Sequence, residues 1–179
     1  MKNFNTRNDL LDKLPKNLKV AELGVFVGDF AKEILYRMSP KEFFMVDMWM
    51  GTFGSGDKDG KNHTIIESME YVYRKLRNEY AHYDNVHVIK KFTNQFLNSL
   101  NDNYLDMVYI DADHSYNGVM SDLEISFKKV HNSGIISGHD YISGGEVFAA
   151  VNDFCKNYDQ AIIATTNDGC PSFLIQISK

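Results

Sequence analysis

The 179-residue sequence predicts an α/β fold built on a mainly parallel sheet, and three observations carry that expectation. Short β-branched or aromatic runs alternate with longer stretches of helical periodicity, the pattern of successive βαβ units. Nearly every one of the short runs stops at a turn carrying an acid, an amide or a histidine. The junction Asn167-Asp168-Gly169, late in the sequence, has the composition of a tight turn between antiparallel neighbours, which confines the antiparallel pairing to one edge.

The elements follow in order. Residues 18–23 form the first strand, entered after Pro15. Residues 29–38 are helical, with Phe30, Ile34, Leu35 and Met38 on one face, and Pro40 closes that unit. Residues 43–46 are the second strand. The glycine-rich stretch 51–60 is expected to be a mobile loop, and residues 63–83 a long helix. A strand at 86–89, a helix at 93–100 and a strand at 105–110 come next. Residues 116–130 are helical, with Val119, Leu123 and Phe127 as the apolar stripe. A fifth strand at 134–137, a helix at 145–158 and two late strands at 161–165 and 172–177 complete seven strands. The turn between the last two makes one edge of the sheet antiparallel.

Composition narrows the function. The proportions of 44% hydrophobic and 24% charged residues, with only 3 Pro, are those of a globular domain, so residues 1–179 are read as one. A net charge of -5 lacks the basic footprint of a nucleic-acid binder. Cys155 and Cys170 have neither metal-site nor redox spacing, which points to a reducing compartment. No signal-peptide core opens the sequence and no apolar run would cross a membrane, so a cytoplasmic protein is expected.

Ligands of open α/β sheets bind outside the carboxyl ends of the strands, where strand order reverses. The residues at those ends are therefore the candidate site. The first strand runs into Glu22-Leu23-Gly24-Val25-Phe26-Val27-Gly28, the second ends at Asp47, and the third leads to Thr93-Asn94. The fourth ends at Asp111-Ala112-Asp113-His114 and the fifth at His139-Asp140-Tyr141. Gly24 and Gly28 let backbone approach a ligand, and Asp47 suits two ribose hydroxyls. The spacing is Gly-x-x-x-Gly, so the dinucleotide fingerprint is absent.

The segment 21–28 resembles the first motif of class I S-adenosylmethionine-dependent methyltransferases, and Phe44-Met45-Val46-Asp47-Met48-Trp49 resembles their second. The stretches 108–116 and 134–141 are similar to a branch that includes macrocin O-methyltransferase-like and cephalosporin hydroxylase-like proteins. The resemblance spans residues 20–141. It implies a doubly wound, Rossmann-like sheet with helices on both faces and S-adenosylmethionine as cofactor. Glu22, Gly24 and Gly28 would line its methionine part, Asp47 would hold its ribose, and Thr93 and Asn94 would approach its adenine, with Met48, Trp49 and Asp111 also among the cofactor-binding residues.

The same resemblance implies a divalent metal, Mg²⁺ or else Mn²⁺ or Ca²⁺, on Asp111 and Asp140. Tyr141 stands where the third ligand belongs, leaving either Asp113 or His139 to substitute or the site empty. His114 and His139 are candidate general bases for an acceptor hydroxyl, with Asp111 beside them. His63, His82, His87 and His131 fall outside the strand ends. A calcium loop around Gly60 fails, because Ile66 falls where a glutamate is required; a lid reading suits the stretch better. The expected reaction is methyl transfer to an oxygen of a small hydroxylated acceptor. A metal-dependent hydrolase using Asp111, Asp113, His139 and Asp140, or a non-catalytic nucleoside-binding module, are the alternatives. The expected partners are that acceptor and at most a second copy of the chain, with neither nucleic acid nor membrane.

Overall fold

The computed structural model describes residues 1–55 and 65–179. In chain order the elements are β1 (Lys2–Phe4), α1 (Arg7–Leu11), β2 (Lys19–Leu23), α2 (Asp29–Met38), β3 (Glu42–Asp47), β4 (Thr52–Ser55), β5 (Ile65–Ser68) and α3 (Met69–Glu79). They continue as β6 (Val86–Lys90), α4 (Thr93–Asn98), β7 (Leu105–Ile110), α5 (Tyr116–Lys129), β8 (Val130–Gly138), α6 (Glu146–Asn157), β9 (Ile162–Thr166) and β10 (Phe173–Gln176). Among the described residues, no helix is long and apolar enough to cross a membrane.

The main sheet has eight strands in the order β1-β9-β10-β8-β7-β2-β3-β6. Only β10 is reversed, pairing antiparallel with β8 and β9. It lies two strands in from the edge, because β9 and then β1 stack outside it. The eighth strand is β1, whose three residues pair in parallel with Ala164, Thr165 and Thr166.

The central strands are apolar on both faces because each face is covered by helices. Along β3, Phe43 and Met45 join a core with Phe30 and Ile34 of α2 and Leu76 of α3, while Phe44 and Val46 join one with Leu97 of α4 and Leu123 of α5. Met107 and Tyr109 of β7 divide from Val108 and Ile110 in the same way. Each fully buried Leu, Ile or Phe of this kind contributes about 1.5–3 kcal/mol, so the alternation fixes which helix lies on which face.

One expected element changes. Instead of a helix from residue 63, β5 pairs antiparallel with β4 in a separate two-stranded sheet, and α3 starts only at Met69. The expected mobile loop is a strand at Thr52–Ser55, and the remainder of that loop and lid reading, residues 56–60, lies outside the described residues. So does His63.

Chain order reverses between β2 and β7: β3 and β6 are laid down on one side of β2, β7 and β8 on the other. The seam is tight. The Asp111 amide donates to the Leu23 carbonyl at 2.8 Å, and a Cβ on Gly24 would stand 1.9 Å from the Asp111 carbonyl oxygen. Gly24 also has φ +90°, so no other residue fits there.

Candidate active site

A cleft of about 760 Å³ opens above this seam, at the carboxyl ends of β2, β3, β6 and β7. Its floor holds Glu22, which is 1% exposed and whose Oε2 has no hydrogen-bond partner among the described residues. Burial above all, then the charge of Asp111, holds the Glu22 carboxyl well above the usual range. A buried polar atom without a partner is costly, and one facing a cleft is a place for a ligand's donor.

Asp47 ends β3 with both oxygens engaged. Oδ2 accepts from the Phe26 amide at 2.9 Å and Oδ1 from the Trp49 amide at 2.7 Å. An ionised carboxylate has about four acceptor sites, so two remain for a pair of hydroxyls. Met48 lines the cleft. Trp49 does not: it is 1% exposed, its Nε1 donates to the Phe26 carbonyl at 2.8 Å, and its ring packs on Tyr73. Trp49, expected among the cofactor-binding residues, is a structural post beneath the first turn.

Two other assigned positions also stand off the cleft wall. Gly28 is the N-cap of α2 with φ +86°, and a Cβ there would meet the Leu76 side chain at 2.7 Å, so it lets α3 pack closely. Asn94 points to a shallow depression with Gln95 and Asn98. Thr93 does line the cleft, and its hydroxyl donates to Asp122 at 2.7 Å. Asp122 is buried, and desolvation pushes its carboxyl up to about 6.

The other half of the rim is a ring of two carboxylates and two imidazoles. His114 Nε2 lies 3.4 Å from Asp111 Oδ1 and 3.2 Å from Asp140 Oδ2. His139 Nδ1 lies 3.8 Å from Asp111 Oδ2 and 3.5 Å from Asp140 Oδ1. One ligand atom each from Asp111, His139 and Asp140 falls within 4.8 Å of the others. Asp140 has φ +55°, a left-handed turn just after β8 that accompanies the contacts of its carboxylate with His114 and His139. Asp111 is raised in pKa, by burial first and also by Asp140, against the opposing pull of His139 and Arg7.

Asp111 and His114 line the cleft itself, whereas His139 and Asp140 lie beside it. Tyr141 turns away and exchanges hydrogen bonds with Asn152, at 3.2 and 2.9 Å, so His139 is the third group at the ring. Asp113 accepts from the Ser115 amide at 2.9 Å and secures the entry to α5. Of the four histidines set aside, His87 faces Glu42 at 3.5 Å and His131 faces Asp106 at 2.9 Å, both at the amino ends of the strands.

The sequence reading missed Arg7. It enters the cleft from α1, with its guanidinium 4.1 Å from the Phe30 ring centre and 3.5 Å from Asp111 Oδ2. The available signal was Thr6-Arg7-Asn8-Asp9, a capping box that starts a helix at Arg7.

A family model described as a methyltransferase domain matches residues 21–141, about two thirds of the chain. No curated protein matches the sequence. Solved structures share the fold. A precorrin-6y C5,15-methyltransferase from Geobacter metallireducens is 11% identical with TM-score 0.66, covering 97% of this chain and 86% of its own. A putative rRNA methylase from Clostridium thermocellum is 15% identical with TM-score 0.65, at 97% and 94% coverage. Aeropyrum pernix fibrillarin, solved with natively bound S-adenosyl-L-methionine, is 12% identical with TM-score 0.65, at 94% and 73%. At these identities the structures speak for the fold, and the family match over the strand ends speaks for the rest: the chain belongs to the methyltransferase-domain family, with the class I, S-adenosylmethionine-dependent architecture.

Proposed function

We propose that this methyltransferase methylates an oxygen of a small hydroxylated acceptor, with a divalent cation at Asp111, Asp140 and His139. One observation carries the reading: the ring of Asp111, His114, His139 and Asp140 adjoins the methionine end of the cleft, where a transferable methyl group would lie. Two carboxylates this close repel each other, and a divalent ion relieves that repulsion. The mixed oxygen and nitrogen donors suit Mn²⁺ at least as well as Mg²⁺. When bound, such an ion supplies acidity to a coordinated hydroxyl.

The chain's own residues then divide the work. Glu22 and Asp47 hold the cofactor's ammonium and ribose, Thr93 approaches the adenine, and the cleft wall keeps donor and acceptor in line. His114, half exposed on that wall, takes the acceptor proton, while His139 serves as ligand. Five acids, Glu22, Asp29, Asp47, Asp111 and Asp113, line the cleft against Arg7 and Lys91. That excess of negative charge disfavours a polyphosphate backbone and favours a small neutral or cationic acceptor over RNA.

The test is methyl transfer from S-adenosylmethionine to a panel of small phenols, catechols and sugar hydroxyls in excess chelator, followed by Mg²⁺ or Mn²⁺ add-back. Activity should vanish in chelator and return with metal, and Asp140→Asn should lower it by about 100-fold or more. Full activity in chelator removes the metal, and transfer to RNA alone overturns the acceptor class.

A further inference from the structure

We infer that Arg7 holds the α-carboxylate of the cofactor's amino-acid tail, so that the N-terminal segment completes the methionine subsite. The inference rests on S-adenosylmethionine as the ligand of this cleft and adds a residue outside the matched motifs, since the family model begins at residue 21. The tail is a zwitterion. A cleft lined by five carboxylates welcomes its ammonium and repels its carboxylate unless a cation is set against that group. Only Arg7 and Lys91 among the lining residues are cationic. Lys91 follows β6 beside Phe92 and Thr93, toward the adenine end. Arg7 lies at the opposite end, against Asp111 and above the floor that Glu22 forms.

Arg7 is also held for the task. Its amide donates to Asp168 Oδ2 at 3.2 Å, Thr6 and Asp9 cap its helix, and β1 is clamped to β9. Phe30 supports the face of the guanidinium at 4.1 Å. The contact to Asp111, at 3.5 Å, is a loose pair, and with the Tyr109 hydroxyl also beside the guanidinium it engages only part of the fork of five N–H donors. A planar fork so supported is the geometry that grips a carboxylate with two bonds. Glu22 and Arg7 together read both charges of the tail, Glu22 through the oxygen that has no partner among the described residues.

The experiment compares calorimetric binding of S-adenosylhomocysteine with that of 5′-methylthioadenosine, which keeps the nucleoside and thioether and lacks the tail. Neither carries a sulfonium, so removal of a cation does not attract them. Arg7→Met should weaken S-adenosylhomocysteine by about 10- to 100-fold, the range for a lost charged hydrogen bond, and leave 5′-methylthioadenosine within about twofold. Arg7→Lys, which keeps the charge and loses the fork, should fall between, and it stands in should Arg7→Met not fold. Equal losses for both ligands, or no loss for either, overturn the inference. If the native protein binds neither nucleoside, the cofactor reading itself fails, an outcome distinct from either of those.

Discussion

The two halves of the rim are built by opposite rules. At the end of β3 the polar groups are committed to the fold: Asp47 ties the Phe26 and Trp49 amides, and Trp49 is sealed beneath them, so that of this half only Glu22, on β2, keeps an oxygen without a partner among the described residues. At the ends of β7 and β8 the side chains of Asp111, His114, His139 and Asp140 meet one another at 3.2–3.8 Å. The first half is shaped before any ligand arrives. The second is a set of charges whose balance changes with what enters. Substitutions in the first half should therefore cost stability and nucleoside affinity together, and substitutions in the second should cost activity alone.

The seam between the halves offers the largest effect. Gly24→Ala forces a Cβ to 1.9 Å from a carbonyl oxygen at φ +90°, and should cost about 3 kcal/mol or more in urea unfolding. Gly51→Ala shares the positive φ, at +83°, but meets nothing within 4 Å among the described residues, and should cost only about 1–2 kcal/mol. Equal costs would mean that the two halves are not locked together at Gly24. Next, Asp47→Ala should weaken S-adenosylhomocysteine by about 1.5–3 kcal/mol and lower stability as well. Asp140→Asn should leave that affinity within about twofold; a matching loss in both variants would erase the division of the rim.

A smaller, pH-dependent effect lies beneath Thr93. Asp122 has its carboxyl raised from an ordinary 3.8 to about 6 by burial. Below about pH 4 both folded and unfolded forms are protonated and the group costs nothing. The cost builds as pH rises from 4 to 6 and is complete above 6. Asp122→Asn, whose amide oxygen still accepts from Thr93, should stabilise the fold by about 1–3 kcal/mol at pH 7.5 and by nothing at pH 3.5. Unfolding curves at the two pH values check this, and a constant difference would show that Asp122 does not titrate in that window.

What the sequence disclosed follows the same division. Strands buried on both faces are continuous apolar runs, so β2, β3 and β7 were legible to within a residue or two, and α2 was legible outright from its stripe. Strand ends could be read too, because a polar residue after an apolar run has to fall on the rim. Side-chain direction could not. Trp49 follows Asp47 by two residues, yet φ +40° at Trp49 breaks the strand alternation and sends the indole inward. The Ile65-Ile66 pair was absorbed into a helix because Met69, Val72 and Leu76 continue at helical spacing, whereas its pairing with β4 depends on a distant segment. Likewise Lys2-Asn3-Phe4 has no strand pattern of its own; β9 makes it a strand, and so brings Arg7 to the cleft.

The flanks of the sheet have a consequence of a different kind. One outermost strand, β1, is three residues long and carries Lys2 and Asn3; the other, β6, is five residues long and carries His87 and Lys90. Short strands studded with charge make poor templates for edge-to-edge pairing with another chain. The long hydrophobic strands that would propagate a fibre, β7 and β8 among them, are sequestered in the interior of the row. Strand order therefore works against polymerisation, and a variant that peels β1 from β9 would lay bare a five-residue border, Ile162–Thr166, that has no charge to guard it.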